Sequence, residues 1–168
     1  SMPVPVITVA QMREWEKATW LIGTTEPEVI GHVGELIGRR ARALTRSGDF
    51  IVVLAGKGHN GDDARMAQPH LAEREVQVLQ VLDPAAASRE LEALLDQGPA
   101  LLIDGLFGIG LDRPLSAEWV RFIEQVNEAQ VPVLSVDLPS GLDADTGEHF
   151  GAAMRASLTV TLGTPKRG

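Results

Sequence analysis

Cysteine is absent from the 168 residues, which excludes disulfides and thiolate metal sites alike. No apolar stretch reaches the roughly 20 residues needed to cross a bilayer. The opening residues lack the basic-then-apolar order of a signal peptide. Positive charge is scarce: 15 Lys and Arg against 23 Asp and Glu give a formal net charge of −8. Such a chain offers no general basic face to nucleic acid or to an anionic membrane. Internal repeats and low-complexity linkers are also missing. The expectation is one soluble, cytoplasmic domain over residues 1–168, with a core drawn from a sequence that is 44% hydrophobic.

The apolar pattern changes period along the chain. Thr8 suits the N-cap of a first helix with Met12, Trp15, Trp20 and Leu21 on its apolar face. A second helix is expected over 27–44, where Gly31, Gly34 and Gly38 imply lost stability or the close approach of another backbone. From Phe50 the runs become short and β-branched. Strands are expected at 50–55, 75–83, 99–104, 131–137 and 157–163. Between them come a helix over 63–74 kinked by Pro69, a helix from a Ser88 cap to Gly98, and a helix capped by Ser116. That last helix carries a stripe of Trp119, Phe122, Ile123 and Val126. Alternating strands and helices mean an α/β fold with a mostly parallel sheet.

In such sheets, ligands sit beyond the carboxyl ends of the strands. Three loops there are unusual: "GKGHNGDD" (56–63), "DGLFGIG" (104–110) and "DLPSG" (137–141). A strand order of 2-1-3-4-5 would bring them together. The first loop matches G-x-G-x-x-G at Gly56, Gly58 and Gly61, between a strand and a helix, with Asp83 placed as a ribose-binding acid would be. Asp62 and Asp63, however, set negative charge where a pyrophosphate would lie, and either would serve as a plain helix cap. Asp104 suits a cation or a ribose, or ordinary turn chemistry. Arg113 is a phosphate clamp or a surface charge. Asp137 ends an apolar strand, and Ser140-Gly141 adds a hydroxyl and open backbone. Three strand ends of this kind point to a site rather than to three loop anchors.

"AGKGHNGDDARMAQPHL", "LLIDGLFGIGLDRPLS" and "VPVLSVDLPSGLDADTG" resemble, in order and spacing, the YjeF N-terminal domain family, the NAD(P)H-hydrate epimerases. The resemblance runs from about Ile51 to Lys166. It implies a Rossmann-like three-layer α/β/α sandwich with the N-terminal helices packed on it. The implied reaction interconverts the R and S hydrates of NADH and NADPH, a nicotinamide nucleotide repair step that uses a bound potassium ion. By position, the ion would meet Asn60, Asp104 and Ser140. The hydrated dinucleotide would run along His59, Asn60, Gly61, Asp62 and Asp63, along Gly108, Ile109, Gly110, Leu111, Asp112, Arg113 and Pro114, and past Asp137. Asp137 is the candidate catalytic residue, the group that moves a proton at C6 of the nicotinamide ring.

The family usually reads N-N-G-G-D-G in the first loop. Here His59, Asp62 and Ala64 replace Asn, Gly and Gly, "IGHVG" lacks the polar groups of the usual N-terminal helix, and the chain's end is shorter than the family's. A catalytically degenerate relative, kept for nucleotide-ligand binding or protein contacts, is therefore the alternative expectation. A homodimer formed through the N-terminal helices is a further one.

Overall fold

A computed structural model describes residues 26–108, 111–143 and 145–160. The helix expected from Thr8, with Trp15 and Trp20, lies outside the described residues, as do Ile109, Gly110 and the end of the chain from 161.

Five strands form one sheet: β1 (Phe50–Ala55), β2 (Glu75–Gln80), β3 (Leu101–Gly105), β4 (Val133–Val136) and β5 (Leu158–Val160). Their order is β2-β1-β3-β4-β5, and every neighbouring pair is parallel. The expected 2-1-3-4-5 arrangement is thus the one adopted. The helices are α1 (Glu26–Leu44), α2 (His59–Arg65), α3 (Pro84–Asp96) and α4 (Ala117–Glu128). None of the described helices is long and apolar enough to cross a membrane.

Each face of the sheet buries its own core. Ile51, Val53, Leu101, Ile103, Leu134 and Val136 pack on one side against Val33, Ile37 and Ala41 of α1 and Ala64 of α2. Val52, Leu54, Leu102 and Val133 alternate to the other side, against Leu91 and Leu94 of α3 and Phe122, Ile123 and Val126 of α4. Alternation in strands and i, i+4 spacing in helices produce these two layers from one sequence. The central strand β1 is buried over five of its six residues, as a doubly covered parallel strand requires.

Several local expectations change. The helix placed at 63–74 starts at His59, ends at Arg65, and is followed by a 3₁₀ turn at Gln68–His70. Pro69 falls in that turn, because its ring fits the start of a short helix but not the middle of a long one. The cap of α3 is Asp83 rather than Ser88: its Oδ1 accepts from Ala85 N at 3.0 Å, with Pro84 at the first helical position. Ser88 lies one turn inside and donates to Gln125 Oε1 of α4 at 2.8 Å. Asp83 is therefore accounted for by helix initiation. Ser116 caps α4 as expected, accepting from Trp119 N at 3.3 Å.

Gly34 and Gly38 of α1 mark a close approach, since a Cβ at Gly34 would run into Met66 O and one at Gly38 into the His70 side chain. The same holds in the first loop. A Cβ at Gly56 would strike Leu106 O, and one at Gly61 would strike Gly56 O, whereas Gly58 has open space around it. Two of the three fingerprint glycines are thus packing glycines. Gly56→Ala is expected to lower stability by about 1–3 kcal/mol through overpacking, seen as a fall of several degrees in Tm by calorimetry. Gly58→Ala, with no neighbour within 4 Å, should cost clearly less.

Candidate active site

Strands β1, β3 and β4 are consecutive in the sheet, so the loops leaving their carboxyl ends converge. At the centre stands Asp104, with no exposed surface. Its Oδ1 accepts from Ser140 Oγ at 2.5 Å and Leu106 N at 3.3 Å; its Oδ2 accepts from Ser135 Oγ and Ser140 N, both at 2.8 Å. Burial pushes the Asp104 carboxyl up from its ordinary value, and the hydrogen bonds, those of Ser140 foremost, pull it back. No cationic side chain pairs with it among the described residues.

Asn60, in the first turn of α2, stitches the other loops. Its Nδ2 donates to Phe107 O at 2.8 Å and to Val136 O at 2.7 Å. Phe107 N in turn donates to Ser140 Oγ at 2.9 Å. The side chain of Phe107 meets Trp119 edge-on, 4.7 Å between centroids, and Trp119 meets Phe122 at 5.9 Å. The loop after β3 is therefore fixed by polar contacts on its backbone and aromatic contacts below.

Asp137 lies at the sharpest bend. Its φ is 74°, and Leu138 N donates to Val136 O at 3.0 Å, closing a γ-turn about it. This is the rarer, strained γ-turn, of a kind that costs about 1–3 kcal/mol and persists where the surroundings over-determine it. Here Asp137 N donates to Val160 O of β5 at 2.6 Å, and Met154 N donates to Ser140 O at 2.8 Å. Gly108 leaves room for the functional groups beside it: a Cβ there would stand 2.7 Å from Asn60 Oδ1 and 3.1 Å from Asp137 Oδ2.

Asp63 is the third buried acid. Burial first, then the charge of Asp137, pushes its carboxyl up to about 6, with His59 opposing and Asp62 adding to the shift. Asp63 and Asp137 thus share one electrostatic environment, in which the charge of Asp137 disfavours ionisation of Asp63.

The remaining predicted residues divide. Asn60, Gly61, Asp63, Gly108, Asp104, Asp137 and Ser140 come together around these loops. His59 is exposed at the start of α2, and Asp62 is turned to solvent in a pair with Arg65, so its extra charge is answered on the surface. Ala64 is fully buried, and Gly105 makes room for its methyl group. Leu111 is half-buried, while Asp112, Arg113 and Pro114 are exposed. Arg113 lies 3.4 Å from Asp112 with its side chain 83% exposed. Ser135, and the main-chain groups of Phe107 and Val136 that bind Asn60, are site components the sequence pattern did not single out. The one available signal for Ser135 was a hydroxyl inside the apolar run "VLSV".

Among the described residues no three His, Cys, Asp or Glu side chains cluster as around a divalent metal. The donors of Asn60, Asp104 and Ser140 are all hard oxygens, and Asp104 is a buried acid with no cationic partner among the described residues. That chemistry fits a monovalent hard cation and not zinc.

Residues 80–168 match the family described as "YjeF-related protein N-terminus". The chain is 37% identical to the NAD(P)H-hydrate epimerase of Achromobacter xylosoxidans (strain A8), over 98% of this chain and 86% of that protein. It is also 37% identical to the NAD(P)H-hydrate epimerase of Limosilactobacillus fermentum (strain NBRC 3956 / LMG 18251), over 99% of this chain and 89% of the relative. The chain belongs to this family. The bifunctional NAD(P)H-hydrate repair enzyme Nnr of Thermosynechococcus vestitus (strain NIES-2133 / IAM M-273 / BP-1) is 34% identical over 97% of the chain, which spans 36% of that longer protein. The family motifs thus occupy the loops that the sheet order brings together.

The raised carboxyl of Asp63 has a consequence for stability. A group whose pKa rises from 3.8 to about 6 on folding contributes fully below pH 3.8, and that contribution is lost as pH rises through about 6. Asp63→Asn should therefore match the parent at about pH 4 and exceed it by about 1–3 kcal/mol at about pH 7.5, measured by urea unfolding across that range.

Proposed function

We propose that this chain epimerises hydrated NADH and NADPH, interconverting their R and S forms at C6 of the nicotinamide ring. The observation that carries this reading is the convergence of Asn60, Asp104, Asp137 and Ser140 on one side of the sheet, joined directly or through Phe107 and Val136. The same residues lie in the loops that match the epimerase family. The dinucleotide hydrate is assigned to the surface running from His59–Asp63 past Gly108 to Asp137 and on to Leu111–Pro114.

Inversion at C6 requires that a bond to that carbon open and re-form on the opposite face. If the hydroxyl leaves as water, one proton must be given to it. When water returns from the other side, one proton must be taken back. A single carboxyl that donates and then accepts leaves the protein unchanged. Asp137 is assigned this role: it is 5% exposed, and Gly108, by lacking a side chain, lets the loop after β3 come close to its Oδ2 and to Asn60. Asp63, pushed up to about 6, limits the negative charge facing Asp137 only below about that pH. Asp104 is locked by its four hydrogen bonds and orients the turn.

A potassium ion is assigned to Asn60, Asp104 and Ser140. When bound it supplies positive charge to a buried carboxylate that otherwise has hydrogen bonds alone.

Asp137→Asn is expected to abolish epimerisation while leaving the circular dichroism spectrum and Tm close to the parent's. The assay supplies the mixed R and S hydrates with an S-specific dehydratase and follows consumption of the R form. Full activity in this variant would refute the assignment. In the same assay, exchanging potassium for tetramethylammonium should slow the parent protein several-fold, and equal rates in the two salts would remove the ion from the site. Binding of the hydrate by the unaltered protein without turnover would instead identify a ligand-binding relative.

A further inference from the structure

On the face of the sheet that packs against α3 and α4, strands β3, β4 and β5 carry one polar row among apolar residues. Asp104, Ser135 and Thr159 are register partners across β3, β4 and β5, and all three are buried. The Thr159 hydroxyl has no hydrogen-bond partner among the described residues. Ser135 has no exposed surface, and its hydroxyl donates to Asp104 Oδ2 at 2.8 Å. An alanine would fill a strand interior at less cost, because a buried hydroxyl must be repaid by a hydrogen bond.

We propose that Ser135 is a positioning residue for epimerisation, acting through Asp104. The carboxylate has two oxygens with different tasks. Oδ1 faces the loop after β3 through Leu106 N and receives Ser140 Oγ; Oδ2 receives Ser140 N and Ser135 Oγ. Ser135 is the one donor of the four that comes from within the sheet rather than from a loop. Its hydroxyl therefore refers the plane of the carboxylate to a rigid element, and Asp104 passes that reference to both loops. Ser140 is three residues from Asp137, and Leu106 is two residues from Gly108. Removing the hydroxyl leaves Asp104 held by the very loops it should be aligning. Thr159 cannot take over, because it lies two strands from Asp104, about 9–10 Å away at the backbone.

The kinetic part of this inference rests on the epimerase reading; the structural part does not. Two variants test both. Ser135→Ala should lower kcat about tenfold with KM within about twofold. Amide hydrogen exchange at Leu106, Phe107 and Ser140 should quicken about tenfold, while the β1 amides keep the parent's rates. The exchange Ser135→Thr with Thr159→Ser keeps both hydroxyls and the summed volume of the neighbouring pair, and should restore kcat and protection together. Unchanged exchange at the three loop amides in Ser135→Ala overturns the proposal, as does faster exchange with unaltered kcat. If Ser135→Ala does not fold, the double variant decides: loop amides exchanging about tenfold faster than the parent's in a folded double variant refute it, and parental protection with parental kcat supports it. Failure of the unaltered protein to epimerise sinks the functional reading alone, since hydrogen exchange needs no substrate.

Discussion

A carboxylate removed from water must find compensation for its lost hydration, and at Asp104 that compensation organises the site. Each of its oxygens is held by two donors, from β4, from the turn after β4 and from the loop after β3. A fully buried acid with fewer donors would protonate or unfold its surroundings. The loops that supply donors are therefore not free to choose other conformations. Their geometry is the condition under which this acid can be buried in the protein.

The strain at Asp137 follows from the same arrangement. A left-handed residue at a strand end is unfavourable by itself, and aspartate is among the side chains that tolerate it best. The turn is closed on one side by Val160 of β5 and on the other by the Ser140 backbone. Asn60 holds the carbonyl just before it. Stability drawn from the two apolar layers is thereby converted into local order at the sheet edge, where three acids, Asp63, Asp104 and Asp137, lie buried in one neighbourhood.

Much of this was legible in the sequence, for physical reasons. "FIVVLA" shows no alternation because both faces are covered; its shortness and β-branched residues mark it as a strand, and its bounds agree with β1. The sheet order was a condition, 2-1-3-4-5, under which the loops rich in Gly, Asp and Ser would meet, and it is the order adopted. The convergence of Asn60, Asp104, Asp137 and Ser140 was legible because parallel topology delivers strand ends to one edge. What was less legible depended on single residues with two plausible partners. Asp83 has the right position for a ribose, but Pro84 makes it a helix start. Asp62 and Asp63 are adjacent and chemically identical in the chain, yet helix geometry turns one to solvent beside Arg65 and the other toward Asp137. Ser135 carries no spacing signal at all; only its distance to Asp104 reveals its use.

The contact between Phe107 and Trp119 joins the site loop to the only one of the chain's three tryptophans that lies within the described residues. An indole packed against the loop after β3 is an optical reporter supplied by the fold itself. With Trp15 and Trp20 replaced by phenylalanine, the emission of this single fluorophore would follow the loop's occupancy in real time, without a label and without turnover.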